Sequence, residues 1–285
     1  MNKGIYTINC GGRLLDMRIP LVMGILNVTP DSFYDGGRYF KSEDAIKARV
    51  DEILAQGGDI IDVGAYSTRP GADDVSAEEE WKRLATALNI IKRDHPDAII
   101  SVDTFRGDVA RRSVLEGGAH IINDISAYTL DPDMLQAIVE LNVPYILMHI
   151  KGTPKNMQVD PRYTKPVTQE VTEFLSAKVD ELCAKGVSDI IIDPGFGFGK
   201  TVEDNYQLIS DLRRFRVFRR PILVGISRKS MIYKVLGTSP EESLNGTTVL
   251  NTVALLAGAD ILRVHDVKDC VEAVKIVSQL SQSYS

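Results

Sequence analysis

Short, almost uninterrupted apolar runs alternate with longer amphipathic segments along most of the chain. Eight such runs occur, at residues 21–26, 60–63, 99–102, 121–122, 145–148, 190–192, 222–225 and 261–264. Strands buried on both faces of a parallel sheet have this continuous apolar character, whereas strands with one solvated face alternate polar and apolar residues. The pattern therefore predicts eight parallel strands joined by helices.

The segments between these runs carry signals for helix starts and stops. Ser76 with Glu79 fits a capping box. Asp131 followed by Pro132 fits an N-cap and a first helical position, and residues 239–242 combine both devices. A glycine that ends a helix leads into a strand in four related strings: GDIID (58–62), GAHIIN (118–123), GVSDIIID (186–193) and GADIL (258–262). These copies fall on every second predicted strand, so each interval between them holds two strand–helix units.

Eight strand–helix units in 285 residues, with no Pro- or Ser-rich linker, predict one α/β domain over residues 1–285. Its fold would be a single (β/α)8 TIM barrel at 20–285, preceded at 1–18 by a short β-hairpin around Gly11 and Gly12. The alternative is an open doubly wound sheet. That fold usually has fewer strands and a glycine-rich first turn of the dinucleotide-binding type, which the sequence lacks.

Charge and composition narrow the choice of partners. The net charge of −6 and a pI near 5.3 argue against nucleic acid or an anionic membrane, which reward clustered Lys and Arg. The sequence has neither an apolar signal core at its start nor the roughly 18 consecutive apolar residues of a membrane span. Three cysteines without CxxC spacing suggest free thiols rather than disulfides or zinc ligands. We therefore expect a cytoplasmic protein with small-molecule ligands.

Polar residues follow every predicted strand, and barrel enzymes place their sites at the carboxyl ends of their strands. The strand-end residues are Asn27, Asp62, Asp103, Asn123 with Asp124, His149, Asp193, Ser227 with Lys229, and Arg263 with His265. We expect about half of them to contact ligand and the others to bond loop backbone. Arg228, Lys229, Arg263 and His265 follow the last two strands, where barrels often bind phosphate, and Arg69 is expected to join them.

Three predicted loops are longer than the 2–6 residues usual in such folds: residues 27–41, 64–76 and 150–166. We interpret them as lids at the mouth of the barrel. The first carries Phe33 and Tyr34 beside two glycines, and aromatic residues in such a loop can close over a planar ligand.

Residues 190–201, IIIDPGFGFGKT, end like a Walker A loop, with Gly199, Lys200 and Thr201. Pro194 stands where the first glycine of that motif belongs and removes a backbone donor from the loop. We therefore interpret the stretch as a buried strand that delivers Asp193 to a site, and we expect Lys200 to matter least.

Seven strings, in order along almost the whole chain, closely resemble the dihydropteroate synthase family. They are MGILNVTPDSFYDGG (23–37), DVGAYSTRPGA (62–72), SVDT (101–104), IIND (121–124), DPGFGFGK (193–200), GISRK (225–229) and RVHDV (263–267). The first two are specific to pterin-binding barrels. The resemblance implies a transferase of folate biosynthesis and a sulfonamide target. It would condense 6-hydroxymethyl-7,8-dihydropterin pyrophosphate with p-aminobenzoate, giving 7,8-dihydropteroate and pyrophosphate.

The resemblance also implies roles for individual residues. Pterin would be bound by Asp103, Asn123, Asp193 and Lys229, the first, third and fourth also being catalytic, between apolar walls of Ile25, Ile125, Met148 and Phe198. A carboxylate that accepts from an amino group and a ring N–H together orients such a ring. Each apolar residue is explained about as well by a plain core role.

Pyrophosphate would be bound by Asn27, Thr68, Arg69, Arg263 and His265, and p-aminobenzoate by Phe33, Thr68, Pro70, Ser227 and Lys229. By the same resemblance Asn27 contacts Mg²⁺, with diphosphate oxygens and waters as its other ligands. A dissociative, SN1-like displacement needs no protein nucleophile, in keeping with the lack of a Ser/His/Asp or Cys/His pairing in the sequence.

One departure stands out: Tyr66 occupies the position of a glutamate that many family members carry in the second loop. It leaves open a non-catalytic pterin-binding homologue. A second alternative is a methyltetrahydrofolate-dependent methyltransferase, which would share Asp103, Asn123 and Asp193. The methyltransferase would need no diphosphate site, so Arg69, Arg263 and His265 favour the synthase. The family further implies a homodimer formed through the last helices, after Gly246.

Overall fold

The computed structural model describes residues 6–29, 43–66 and 75–282. Within them the strands are β1 (Thr7–Cys10), β2 (Arg13–Asp16), β3 (Leu21–Asn27), β4 (Ile60–Gly64), β5 (Ile99–Asp103), β6 (Ile121–Asp124), β7 (Tyr145–Met148), β8 (Ile190–Asp193), β9 (Leu223–Val224) and β10 (Ile261–Val264). The helices are α1 (Glu43–Ala55), α2 (Ala77–Asp94), α3 (Gly107–Leu115), α4 (Asp133–Leu141), α5 (Val167–Ala184), α6 (Val202–Ser210), α7 (Ser230–Leu236), α8 (Leu244–Ala257) and α9 (Val267–Gln282). Two 3-10 helices cover Leu212–Phe218 and Glu241–Ser243.

Strands β3 to β10 form one parallel sheet in the order β8-β7-β6-β5-β4-β3-β10-β9. β8 and β9 meet through a bridge between Ile192 and Ile222, where the Ile192 N–H donates to the Pro221 carbonyl at 2.8 Å. The sheet is thus a nearly closed barrel with helices between its strands. The predicted fold is confirmed, and the eight apolar runs are the eight barrel strands.

Helix starts follow the predicted signals with small shifts. Ser76 Oγ accepts from the Glu79 N–H at 3.2 Å and caps α2. α4 begins at Asp133, one residue later than predicted, although Pro132 before it already has helical φ and ψ of −59° and −25°. Asp131 accepts from the Asp133 N–H at 3.0 Å, as an N-cap does, and from the Gly107 N–H at 2.8 Å. One carboxylate therefore caps two helices. The predicted start at 239–242 is a 3-10 turn that leads into α8.

The lower half of the barrel interior is filled by one apolar residue from each strand: Met23, Ile60, Ile99, Ile121, Ile146, Ile191, Leu223 and Ile261. The predicted hairpin, β1 paired antiparallel with β2, packs Ile8, Cys10 and Met17 into the same cluster. The amino-terminal end of the barrel is thereby closed with apolar side chains. Polar groups are left to the carboxyl-terminal end.

None of the helices in the described ranges combines the length and the apolar character needed to cross a bilayer.

Candidate active site

A cavity of about 1130 Å³ opens at the carboxyl-terminal ends of the strands. Its barrel side is lined by Ile25, Asn27, Met157, Phe198, Lys229 and His265. Its outer side is lined by Arg49 and Glu52 of α1, Tyr233 of α7 and Lys268 of α9. This volume slightly exceeds the roughly 300 to 1,000 Å³ that is usual for small-molecule pockets.

Four strands contribute to one network of charged and amide groups at the base of the site. Arg263 Nε lies 2.5 Å from Asp62 Oδ2, and Arg263 Nη2 lies 2.8 Å from Asp103 Oδ2. Asn123 Nδ2 donates to Asp62 Oδ2 at 3.2 Å. These bonds fix the amide of Asn123 and the carboxylate of Asp103, so both side chains are held in place before any ligand binds.

Two carboxylates share the single Arg263 guanidinium in this network. Burial raises the pKa of Asp103 to about 7, and the neighbouring Asp62 adds to the rise while Arg263 opposes it. Asp103 thus changes its charge near neutral pH. Asp62 was predicted to end a strand but was assigned no role. A carboxylate within an apolar strand requires a partner. Arg263, the only arginine inside a predicted strand, could have been identified from the sequence as the partner of Asp62.

Asp193 and Lys229 form a second group of opposite charges in the site. Burial raises the pKa of Asp193, while Lys229 and the Gly195 N–H, which donates to Asp193 Oδ1 at 2.7 Å, lower it. Burial lowers the pKa of Lys229 to about 8. Lys229 Nζ donates to the Phe196 carbonyl at 2.5 Å and lies 4.6 Å from the centre of the Phe198 ring.

An apolar wall stands beside these polar groups. Ile125, Met148, Ile150 and Met157 form a buried cluster, with Phe105 and Phe198 packed against it. Ile25 lines the same cavity from β3. All four predicted wall residues therefore border the cavity or belong to this cluster. Ile150 and Met157 were not predicted, because nothing in the loop sequence 150–166 indicates which side chains turn inward.

The rim after β9 and β10 carries fewer free positive charges than the sequence suggested. Arg228 pairs with Asp266 at 2.5 Å, and Arg263 is paired with the two carboxylates described above. Burial lowers the pKa of His265 to about 3, so its ring is neutral at pH 7. His265 Nδ1 lies 3.1 Å from Ser227 Oγ, which also accepts from the His265 N–H at 3.2 Å. The predicted residues of this rim are brought together, with Arg228 and Arg263 in ion pairs and His265 uncharged.

Arg49 of α1 is a cavity residue that the sequence did not single out. Its Nη2 donates to the His265 carbonyl at 2.6 Å, and its Nη1 pairs with Glu52 at 2.6 Å. It thereby links the first helix to the rim segment that carries His265. A charged residue on an exposed helix provides no sequence signal for such a role.

Tyr66, the departure from the family pattern, is held by aromatic and cationic contacts. Its ring meets the Phe105 ring edge-on with centroids 5.1 Å apart, and the Arg106 guanidinium lies 5.2 Å from its centroid. Arg106 Nη2 also donates to the Val75 carbonyl at 2.7 Å, and Nη1 pairs with the buried Glu80. A single arginine therefore contacts both ends of the second loop, Tyr66 and Val75.

Lys200, which was expected to matter least, is buried and fully engaged in hydrogen bonds. It is 4% exposed, and its Nζ donates to the Gly195 carbonyl at 2.8 Å and the Phe198 carbonyl at 3.0 Å. Nζ also lies 3.0 Å from His149 Nδ1. The Walker A interpretation fails for a further reason: the turn follows the sixth strand of a barrel and binds its own lysine.

Two other strand-end residues serve the fold. Asp124 is fully buried and accepts from the Ser126 and Tyr128 N–H groups and from the Tyr145 hydroxyl, each at 2.7 Å. His149 is neutral, because burial lowers its pKa to about 2. Four predicted ligand contacts, Phe33, Thr68, Arg69 and Pro70, lie outside the described residues.

A metal ion would find few protein ligands in the described part of the chain. It contains no group of three His, Cys, Asp or Glu residues arranged to hold a metal. Asn27 remains, at the end of β3 on the cavity wall. Its amide oxygen is an uncharged hard ligand, which suits Mg²⁺ when the other ligands are water and substrate oxygens.

The chain is similar to known proteins both in sequence and in structure. The family model described as pterin binding enzyme matches residues 23–265. A dihydropteroate synthase of Escherichia coli (strain K12) is 44% identical over 268 residues, which cover 93% of each chain. The Yersinia pestis dihydropteroate synthase with a sulfonamide drug complex superposes with a TM-score of 0.91 at 38% identity, covering 98% of this chain and all of that one. A Xanthomonas albilineans dihydropteroate synthase with 4-aminobenzoic acid superposes with a TM-score of 0.87 at 37% identity, covering 96% of this chain and 98% of that one.

Proposed function

Because this chain belongs to the dihydropteroate synthase family of pterin-binding enzymes, we propose that the cavity described above is where a pterin pyrophosphate and p-aminobenzoate react. The protein is a transferase of folate biosynthesis, and its products are 7,8-dihydropteroate and pyrophosphate. It belongs to the enzymes that sulfonamide drugs target. The residue roles and the mechanism that follow are part of the proposal.

The observation that supports the pterin site is the grouping of Asp103, Asn123, Asp193 and Lys229: Asp103 and Asn123 are joined through Arg263 and Asp62, and Lys229 interacts electrostatically with Asp193 and Asp103. Lys229 also packs over Phe198, which borders the apolar wall. A pterin is planar and carries donors and acceptors along one edge. Asp193 would accept from its amino group and a ring N–H, while Asn123 and Asp103 would pair with neighbouring ring positions and Lys229 would donate to its carbonyl. Met148, Ile125 and Phe198 would cover the ring face.

The reaction breaks the bond between the methylene carbon and the pyrophosphate oxygen, and the bonding electrons leave with pyrophosphate. The cation left on the pterin is stabilised by the carboxylates of Asp103 and Asp193. The amino nitrogen of p-aminobenzoate then bonds to the methylene carbon and releases a proton. The protein supplies position and charge, and no side chain forms a covalent bond.

The leaving group would be bound at Asn27, Arg263 and His265, together with Thr68 and Arg69. The guanidinium has five N–H donors, and the two ion pairs of Arg263 use Nε and Nη2. His265, being neutral, would contribute an N–H donor. Asn27 would hold Mg²⁺ with diphosphate oxygens and water, and the bound ion would neutralise part of the charge on pyrophosphate.

The second substrate would lie outside the pterin. Ser227 is close to its carboxylate in this proposal, and the Lys229 stem lies along its ring, with Phe33, Thr68 and Pro70 completing the site. Ser227 and Lys229 both follow β9 on the cavity side of the barrel. A homodimer, the cytoplasmic location and the lack of nucleic-acid partners stay predictions from the sequence.

A turnover assay tests the function directly. The protein, supplied with 6-hydroxymethyl-7,8-dihydropterin pyrophosphate, p-aminobenzoate and Mg²⁺, should release one pyrophosphate per dihydropteroate formed. Pterin binding by calorimetry without pyrophosphate release would contradict catalysis and support the non-catalytic homologue. Omission of p-aminobenzoate is the control. The methyltransferase alternative needs no diphosphate, so activity that depends on the pyrophosphate group excludes it.

A further inference from the structure

The turn that follows β8 is organised around the buried ammonium group of Lys200. Residues 195–198 form a turn closed by the Phe198 N–H, which donates to the Gly195 carbonyl at 3.1 Å. Lys200 Nζ binds the carbonyl groups at both ends of this turn, Gly195 and Phe198, at 2.8 and 3.0 Å. His149 Nδ1, at 3.0 Å, is its third partner.

These three partners match the chemistry of an ammonium group. It has three N–H donors and no acceptor. His149 is neutral, so its Nδ1 can accept, which places the ring proton on Nε2. Burial lowers the pKa of Lys200 to about 7, with Asp193 opposing this effect and Lys229 adding to it. The His149 carbonyl, at 3.4 Å, is a fourth and more distant acceptor. This set of acceptors favours the charged form, because a neutral amine has only two N–H donors.

Gly195 connects this lysine to the predicted pterin ligand. Its N–H donates to Asp193 Oδ1 at 2.7 Å, and its carbonyl accepts from Lys200. The Asp193 carboxylate therefore binds the N–H of Gly195, and the Lys200 ammonium group binds its carbonyl. Phe198, whose ring borders the apolar wall, is held by the same ammonium group.

We propose that Lys200 is a positioning residue for pterin recognition, which fixes the turn so that the Asp193 carboxylate and the Phe198 ring keep the orientation that binds the heterocycle. The proposal rests on the proposed pterin site. Lys200 touches no substrate in it and acts through Gly195 on Asp193. The turn resembles a phosphate-binding loop in sequence, but its carbonyl groups bind the ammonium group of Lys200.

The test is a double-mutant cycle on the binding of 6-hydroxymethylpterin, measured by calorimetry on the full chain. Lys200→Met keeps the stem but removes all three donors, and we expect affinity to fall about tenfold, a usual result of leaving buried acceptors unpaired. Asp193→Asn should also weaken binding. If Lys200 acts through Asp193, the double variant will lose clearly less than the product of the two single losses.

A second readout separates positioning from general loosening. At saturating pterin pyrophosphate, Lys200→Met should keep the KM for p-aminobenzoate within about twofold, since the residues that Lys200 bonds, Gly195, Phe198 and His149, are not assigned to the p-aminobenzoate site. Lys151→Met is the matched control: Lys151 lies in the neighbouring loop and pairs with Glu170 at 3.0 Å, and its replacement should leave pterin affinity unchanged. If Lys200→Met does not fold, Lys200→Gln, which keeps two donors without charge, is measured in the same way.

The outcomes are distinct. Wild-type affinity in a folded Lys200→Met protein, or losses that multiply in the double variant, would overturn the positioning role. Equal losses for both substrates would also overturn it. If the wild-type protein does not bind 6-hydroxymethylpterin, the pterin site and the proposed function are refuted, and the role of Lys200 is refuted with them.

Discussion

Several residues at the base of this site each bind two other charged or amide side chains. Asp62 is fully buried, and it accepts from Arg263 and from Asn123. Arg263 in turn binds Asp103. Removing one member of such a network leaves a buried charge without a partner, which costs on the order of 3 to 5 kcal/mol. The polar base of the site therefore contributes to the order of the barrel as well as to ligand binding.

The raised pKa of Asp103 predicts a pH dependence that can be measured. Below about pH 7 this carboxyl takes up a proton and loses the charge proposed to stabilise the cation. We expect kcat/KM for the pterin substrate to fall as the pH is lowered through 7, rather than near 4 as for an ordinary carboxyl. Rates at saturating p-aminobenzoate between pH 5 and 9 measure this limb.

Stability should respond in the opposite direction. The folded state binds this proton more tightly than the unfolded state, so the contribution of Asp103 to the free energy of unfolding rises as the pH falls from 7 towards 4. Asp103→Asn, which does not titrate, is the control and should lack both effects. An acid limb near pH 7 that persists in this variant would assign the titration to another group.

At the scale of elements, the loop after β7 and the turn after β8 form one packed unit. Gln158 Nε2 donates to the Gly197 carbonyl at 2.7 Å, and the Tyr163 hydroxyl donates to the Gly199 carbonyl at 2.9 Å. Gly195 has a φ of +72°, and a Cβ there would overlap the His149 carbonyl oxygen. A glycine is needed at this position for both conformation and space. The long loop interpreted as a lid is thus fastened to the turn.

Gly195→Ala should destabilise the protein by more than the cost of a left-handed alanine, because the added Cβ would also overlap the His149 carbonyl oxygen. Gly186→Ala is the matched control, since Gly186 has a φ of +88° but a Cβ added there would meet no atom of the described residues within 4 Å. The control should lose about 1 to 2 kcal/mol of unfolding free energy in denaturant titration. Gly195→Ala should lose clearly more and also bind 6-hydroxymethylpterin less tightly; equal losses would show that the close approach to His149 is not important.

The elements could be predicted from the sequence to within a residue or two, because strand burial and helix capping are local. The apolar runs located all eight barrel strands, and Ser76 located the start of α2. Pairings between distant residues could not be predicted in this way. Nothing local joins Arg263 to Asp62, 201 residues away, or Lys200 to His149, 51 residues away. The family resemblance identified candidate site residues from the sequence. It could not predict that His265 is neutral, because the low pKa of this residue results from its burial in the fold.

At the scale of the whole molecule, the last helices present an apolar surface. The exposed residues on α7, α8 and α9 are Val235, Leu236, Val249, Val253, Leu256, Ile276 and Leu280. On α8, three of them are spaced four and three residues apart, so they share one face. Exposed apolar faces of this kind commonly mark an interface between proteins. The exposed apolar residues of α8 and α9 lie where the sequence predicts the homodimer, after Gly246.

A charge placed on this face should weaken the predicted dimer. If the dimer forms through α8, Val253→Glu would place an unpaired carboxylate between the subunits, and we expect the dissociation constant to rise by at least about tenfold from the cost of desolvating it. Sedimentation equilibrium measures it. Leu115→Glu, at an exposed apolar position on α3, is the control and should leave the mass unchanged. A wild-type protein that sediments as a monomer would contradict the homodimer.

The pairing of β10 with β3 has a consequence for synthesis on the ribosome. Ile261 pairs with Leu21, so the first barrel strand emerges 240 residues before its last neighbour. At about 5 to 20 residues per second, that edge remains without its partner for roughly 10 to 50 seconds. During this time the chain exposes an unpaired strand edge and apolar side chains. This edge of the nascent chain is therefore open to aggregation until β10 leaves the ribosome and pairs with it.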